Sequence, residues 1–197
     1  MNNFDVVIIG GGISGLSCAL LLASGMNEYS KIRDKKVLVI DNDRSDALRA
    51  KFFNAPGVRQ GIDGREAIDD LKNQISYYNN VEFKNDTVKG LNLKENFTIT
   101  TKSNNQYSAQ KVVLATGFRG WNIKGIDLPL KKFSRSSKPN RVSIENNSYK
   151  VQDNLYVCGL LSDVSSHYPI VAGTGSQTAI NIMHDWTNEW LVIHDKP

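Results

Sequence analysis

The sequence contains little cysteine. Its two cysteines, Cys18 and Cys158, lie far apart and outside any Cys-x-x-Cys pattern. This spacing excludes a zinc site and a vicinal redox dithiol, and it favours a reducing compartment. Both cysteines fall in segments predicted to be buried, where a free thiol more often packs as a small hydrophobic group than acts as a nucleophile.

Long hydrophobic runs are also absent. The longest apolar stretches are too short to span a bilayer. The first of them, residues 6–9, has no basic segment before it and ends at three glycines, which is unlike a signal peptide. These absences predict a cytoplasmic protein with no membrane partner.

Neither sign of charge dominates. The chain has 24 Lys and Arg against 20 Asp and Glu, a formal net charge of +4 at pH 7. This excess falls short of the charge of a nucleic-acid-binding protein, so no nucleic-acid partner is expected. The basic residues are densest in a segment without acids between Leu128 and Ile144, which we interpret as a solvated connection in preference to an anion-binding arm.

What the sequence does contain is a strand, a glycine turn, a helix and a second strand, in that order. Residues 4–9 and 36–41 are continuous apolar runs, typical of parallel strands buried on both faces. Between them, residues 10–15 read Gly-Gly-Gly-Ile-Ser-Gly, and residues 16–24 have the pattern of a helix that Gly25 could end. Together these segments predict a βαβ unit.

The remaining patterns favour one α/β domain. They predict strands at 81–83, 87–93, 97–101, 106–108, 111–115 and 155–158, an amphipathic helix at 65–78 and a final helix from about 173 to 193. A chain of 197 residues, 40% of them hydrophobic, can bury one such core. We predict a single domain over residues 1–197. Its fold class is a three-layer, doubly wound, Rossmann-like α/β fold, in which helices and a small antiparallel sheet flank a parallel sheet.

The spacing of Gly10, Gly12 and Gly15 indicates a dinucleotide-binding turn, because it lies between a buried strand and a helix. The first glycine allows the tight turn, the second lets a pyrophosphate approach the backbone, and the third lets helix and strand pack closely. The helix beginning near Ile13 presents free N–H groups to the phosphates. Asp41, at the end of the second strand, is placed to bind a ribose 2′-hydroxyl and disfavours NADP. The motif leaves FAD and NAD open, because both contain the adenosine diphosphate half.

Three further segments make the chain resemble the flavin-binding domain of thioredoxin reductases and similar pyridine nucleotide-disulfide oxidoreductases. They are residues 53–57 with 61–64, residues 112–117, and residues 154–159 continued by Asp163. In that family the first segment runs along the flavin, the second crosses near the cofactor, and the third holds the ribityl chain and the flavin-side phosphate. The resemblance implies FAD as the cofactor. The residues that the motif and the resemblance assign to it are Gly10, Gly12, Ile13, Ser14, Gly15, Asp41, Asn42, Phe53, Asn54, Val88, Ala115, Thr116, Gly117, Gly159, Asp163, His167 and Tyr168.

The departures from the family pattern concern the electron donor. Family members carry a second glycine-rich βαβ unit, which binds NADPH, where this chain has only a short connection at residues 118–150. The family's redox-active Cys-x-x-Cys is missing as well. Gly159 and Asp163 are separated by three residues, where the family has the two adjacent. Either Asp163 still reaches the cofactor, or a backbone N–H takes its place.

The resemblance therefore implies a thioredoxin reductase-like, FAD-dependent oxidoreductase with an external electron donor. The donor would be free NAD(P)H, a redox partner protein or a dithiol, and the substrate a small molecule or a disulfide. The alternative is a non-catalytic flavin-binding module, acting as a redox sensor or as a subunit of a larger redox complex.

Two expectations concern catalysis and assembly. His167, in the turn before the final helix, is the candidate catalytic group near the flavin ring, although a loop histidine without a role is the commoner case. Trp186 and Trp190 are spaced to form one apolar stripe on that helix. Because related reductases are dimers, we expect a homodimer. No metal site is predicted.

Overall fold

A computed structural model describes residues 2–193 of the chain. Met1 and residues 194–197 of the predicted domain lie outside the described residues. The strands are β1 (Asn2–Ile9), β2 (Val37–Asp41), β3 (Lys51–Phe52), β4 (Ile62–Asp63), β5 (Val81–Asn85), β6 (Val88–Leu93), β7 (Phe97–Thr101), β8 (Gln106–Leu114), β9 (Leu130–Lys132), β10 (Val142–Ile144), β11 (Lys150–Gln152) and β12 (Leu155–Val157). The α-helices are α1 (Ile13–Glu28), α2 (Gly64–Ser76) and α3 (Tyr168–Thr187).

The main sheet has the strand order β11-β12-β8-β1-β2-β5. From β12 to β5 the neighbouring strands are parallel, and β11 is antiparallel to β12. β1 lies at the centre, with Ile9 beside Ile40 of β2 on one side and beside Leu114 of β8 on the other. The glycine turn after β1 therefore emerges at the middle of the carboxyl edge of the sheet, where ligands bind in open α/β folds.

Each face of the sheet has its own hydrophobic core. Val6 and Ile8 of β1 pack with residues of α1, α2 and α3 on one face. Val7 and Ile9 pack on the opposite face with residues of the antiparallel strands β6 and β7. The predicted three-layer α/β fold, with a parallel sheet between helices and a small antiparallel sheet, is confirmed.

Several predicted boundaries were wrong, each because of a long-range contact. Residues 106–108 and 111–115, predicted as two strands, form the single strand β8, whose first part pairs with β7 and whose second part pairs with β12. α1 continues through Gly25, where an added Cβ would lie 2.4 Å from the Met183 sulfur of α3. The glycine at this position thus allows close helix packing and does not end the helix.

The last helix begins at Tyr168 and ends at Thr187, so Gly173 lies inside it and not at its start. Trp190 follows the helix, is 67% exposed, and packs against His184 with ring centroids 4.1 Å apart. The two tryptophans therefore do not form one helical stripe, and the predicted homodimer loses that support.

The connection at residues 118–150 contains the antiparallel hairpin of β9 and β10, which its sequence does not predict. Phe133 is buried and meets the Phe118 ring edge-on, with centroids 5.0 Å apart. The Arg141 guanidinium lies 4.9 Å from the centroid of the Phe118 ring. These contacts give the connection a defined structure, although its strands are too short for a periodic pattern.

The buried carboxylate of Asp86 fixes the loop at the end of β5. Its backbone N–H donates to the Asp41 carbonyl, and its carboxylate accepts bonds from the side chains of Thr101 and Asn105 and from the backbone N–H groups of Thr87 and Ser103. Asp86 is only 8% exposed. Burial by itself raises the pKa of this carboxyl, but the hydrogen bonds outweigh burial and lower the pKa to about 2.

Asp86→Asn is expected to lower the free energy of unfolding at pH 7 by about 2 kcal/mol. Because the pKa is lower in the folded than in the unfolded chain, the carboxylate stabilises the protein above about pH 4, and this contribution disappears as the pH falls to about 2. Urea unfolding between pH 2 and 7 measures both effects. The control is Asp153→Asn, which removes a carboxylate that is 99% exposed and is expected to change stability by less than about 0.5 kcal/mol. An equal loss in the two variants would contradict the prediction.

Candidate cofactor site

The glycines of the turn have different structural roles. Gly10 has a φ of +112°, and a Cβ there would lie 2.3 Å from the Ala115 carbonyl oxygen. A Cβ on Gly15 would lie 2.0 Å from the Gly10 carbonyl oxygen. At Gly12 the nearest atom is the Ser45 hydroxyl oxygen, at 3.0 Å. Gly10 and Gly15 are therefore required by the fold, whereas Gly12 keeps the groove in front of α1 open.

The start of α1 fits an anion. Gly12 is the N-cap, Ile13 is the first helical residue, and neither a side-chain cap nor an acidic side chain occurs in the first turn. The first N–H groups of the helix and its positive end thus stay available. The Ser14 hydroxyl faces inward, since a Cβ on Gly159 would lie 2.4 Å from its oxygen. Ser14 can contribute to this site only through its backbone.

Asp41 stands beside the turn, as predicted. Its Oδ1 accepts from the Gly11 N–H at 2.8 Å and its Oδ2 from the Asp43 N–H at 3.1 Å, so each oxygen keeps one acceptor position for a ribose hydroxyl. A cleft of about 140 Å³ opens here, lined by Gly11, Val39, Asp41, Asp43, Lys72, Phe83, Lys84 and Asn85. The Phe83 ring is 43% exposed and offers an aromatic surface for a base.

Asn42 and Val88 lie on the same side of the site. The Asn42 amide donates to the Thr87 hydroxyl at 3.5 Å, and Val88 is the buried first residue of β6. Asn42 follows Asp41 directly in the chain, and its contact with Thr87 brings it beside the start of β6. The contact of Asn42 and Val88 with a dinucleotide stays a prediction.

A second group of predicted residues meets at the start of α3. Asn54, in the loop between β3 and β4, lies with its Nδ2 3.2 Å from Nε2 of His167, the N-cap of α3. The rings of Phe52 and Tyr168 meet edge-on, with centroids 5.0 Å apart. Phe53 is 65% exposed. The structure thus joins the loop and the helix that the family resemblance assigns to the flavin.

The segment after β8 forms one wall of the glycine turn. Ala115 packs against the glycine turn, as its contact with Gly10 shows, and Thr116 is exposed. Gly117 has a φ of +71°, with no atom within 4 Å of an added Cβ. The segment therefore leaves open space along the groove.

Gly159 and Asp163 already have partners in the described structure. The Gly159 N–H donates to the Thr174 hydroxyl at 2.8 Å. One carboxylate oxygen of Asp163 accepts from both the N–H and the hydroxyl of Ser134, each at 2.9 Å, and the other lies 3.7 Å from the Lys131 ammonium. Asp163 thus holds the connection in place, and its role as a cofactor ligand stays a prediction.

The cysteines do not contribute a reactive thiol. Cys18 and Cys158 are fully buried, and burial raises the pKa of both, to about 12 for Cys158. Both are protonated at neutral pH and act as small hydrophobic groups. Within residues 2–193, no group of three or more His, Cys, Asp or Glu side chains could hold a metal ion.

Sequence reasoning did not predict an ion pair beside this site. Arg119, in the loop after β8, forms an ion pair with Asp46, which begins a short 3₁₀ turn after β2. The two residues are 73 positions apart and belong to no motif. Only the fold brings them together.

This fold, with its glycine turn at the carboxyl edge of a parallel sheet, is the fold of α/β dinucleotide-binding proteins. The family model described as "Pyridine nucleotide-disulphide oxidoreductase" matches residues 4–159. The chain therefore belongs to the pyridine nucleotide-disulphide oxidoreductase family, and this membership supports a flavin-dependent oxidoreductase in general. The resemblance predicted from the sequence is confirmed.

Solved structures of thioredoxin reductases have the same fold. One from Gloeobacter violaceus is 15% identical, with a TM-score of 0.74 over 100% of this chain and 99% of that chain. One from T. acidophilum is 12% identical, with a TM-score of 0.68, and the match covers 94% of this chain and 99% of that chain. A ferredoxin-flavin thioredoxin reductase from Clostridium acetobutylicum is 15% identical, with a TM-score of 0.69, and the match covers 95% of this chain and 99% of that chain. No curated protein sequence matches the chain. Among the residues that the structure describes, no helix is long and apolar enough to cross a membrane.

Proposed function

We propose that the chain binds one FAD along the carboxyl edge of the sheet. The open start of α1 in front of Gly12 carries this proposal, since it offers free N–H groups without a capping side chain. Asp41 and the adjacent cleft would hold the adenosine half. The loop carrying Asn54 and the N-cap His167 would hold the flavin half.

FAD, when bound, supplies the electron transfer, and the protein supplies position and electrostatics. The 3.2 Å contact between Asn54 and His167 fixes the loop against the start of α3. The N-terminal end of α3 would favour negative charge at the flavin. His167 would be the group that holds or moves a proton there.

We propose further that the electron donor is a separate molecule. After β8 the chain forms only the connection at residues 118–150 with its hairpin, and the sequence there contains no second glycine-rich turn. Residues 1–197 would then be a single FAD-binding domain. The name of the Clostridium acetobutylicum structure includes ferredoxin, which supports a protein donor as one choice beside NAD(P)H and a dithiol. The homodimer and the cytoplasmic location stay predictions.

The test is anaerobic reduction of the FAD-loaded chain. NADH, NADPH, dithiothreitol and reduced ferredoxin are mixed separately with the protein, and the oxidised-flavin absorbance is followed. We expect at least one donor to remove that absorbance completely. If the chain binds FAD but the flavin stays oxidised with every donor, the enzymatic function is excluded. If the chain binds no FAD, FAD is excluded as its cofactor.

One observation favours the second candidate, a flavin-binding module without turnover. The two cysteines are buried and protonated, so the chain has no dithiol to pass electrons to a disulfide substrate. Such a module would act as a redox sensor or as a subunit of a larger redox complex. The same reduction experiment separates the two candidates.

A further inference from the structure

The ion pair between Arg119 and Asp46 has a geometry suited to a phosphate. Nε of Arg119 donates to Oδ2 of Asp46 at 2.9 Å, and Nη2 donates to Oδ1. A guanidinium that holds both oxygens of a carboxylate can hold two oxygens of a phosphate in the same way. The side chains are 53% and 40% exposed, so a ligand can reach them.

The pair joins the two walls of the glycine turn. On one wall, the Ser45 hydroxyl oxygen lies 3.0 Å from the position of a Cβ on Gly12, and Asp46 is the next residue. On the other wall, the Ala115 carbonyl lies against Gly10, and Arg119 follows in the same loop. The guanidinium is therefore held next to the start of α1, where the FAD pyrophosphate is proposed to bind.

An exposed ion pair contributes little to folding stability. Its effect on ligand binding is more important. Asp46 holds the Nε and Nη2 donors of Arg119, and a pyrophosphate that takes this same pair of donors must displace the carboxylate. The carboxylate also repels a pyrophosphate beside it.

We propose that Arg119 binds the cofactor pyrophosphate and that Asp46 holds the arginine in the free chain, competing with the cofactor for it. This inference rests on the proposed FAD site. Binding exchanges one bidentate contact for another, so Asp46 lowers the affinity for FAD while Arg119 raises it. A purely structural ion pair would instead give both substitutions the same sign.

The test is calorimetric titration of the full chain with FAD, ADP and adenosine. Arg119→Gln is expected to weaken FAD and ADP binding by about 10-fold or more, and Arg119→Lys by less, because the lysine keeps the charge but loses the paired donors. Asp46→Asn is expected to tighten both by about 3-fold. Adenosine binding should not change, because adenosine has no pyrophosphate.

The control is Glu189→Gln, which breaks the exposed ion pair with Lys31 outside this groove and should leave all three affinities unchanged. If Asp46→Asn weakens binding or leaves it unchanged, or if Arg119→Gln has no effect, the proposed competition for Arg119 is wrong. The proposed FAD site is not contradicted by that result. If the wild-type chain binds neither FAD nor ADP, the proposed function fails, and the inference fails with it.

Discussion

Gly12→Val is expected to leave the chain folded and to lower its affinity for FAD by about 100-fold or more. A Cβ at this position would meet only the Ser45 side chain, whose hydroxyl oxygen lies 3.0 Å away, and that side chain can rotate away if it gives up the hydrogen bond from the Ala47 N–H. The added methyl groups would then project in front of the first N–H groups of α1 and keep a pyrophosphate from the backbone. Titration with FAD measures the loss, and a thermal melt shows whether the fold is kept.

Two companion substitutions make this result specific. Gly12→Ala adds only the Cβ and is expected to weaken binding less than the valine does. Gly15→Ala places its Cβ 2.0 Å from the Gly10 carbonyl oxygen and is expected to destabilise the fold itself. If Gly12→Val is folded and binds FAD as tightly as the wild type, the cofactor does not lie in this groove.

The parts of the site that could be predicted from the sequence are those coded by neighbouring residues. The glycine turn and Asp41 follow directly from the ends of two buried strands, so a local pattern places them at one edge of the sheet. The position of Asn54 beside His167 could be expected only through the family resemblance, because the two are 113 positions apart.

Contacts between distant segments account for what the sequence did not predict. No periodic or compositional signal links Arg119 with Asp46, or Ser134 with Asp163. The start of α3 was missed for a related reason. A glycine-rich segment usually ends or precedes a helix, but here Gly175 lies inside α3, because α1 leaves no room for a side chain there.

Gly175→Ala is expected to lower the free energy of unfolding by about 3 kcal/mol. Its Cβ would lie 2.0 Å from the Ser14 carbonyl oxygen and 3.0 Å from the Cys18 backbone nitrogen, so the clash is with the backbone of α1 and no rotamer relieves it. The two helices would have to separate. Since small domains are stable by only about 5–15 kcal/mol, such a loss is a large fraction of the total.

The matched control is the same chemical change two residues earlier. Gly173 is exposed, and no atom lies within 4 Å of an added Cβ, so Gly173→Ala is expected to stabilise the helix by about 0.5–1 kcal/mol. Urea unfolding of both variants measures the difference. FAD titration adds a second readout, because separating α3 from α1 would also move His167 away from the glycine turn and weaken binding. Equal stability of the two variants would show that α1 and α3 do not pack through Gly175, and the position of the flavin half would then have to be reassigned.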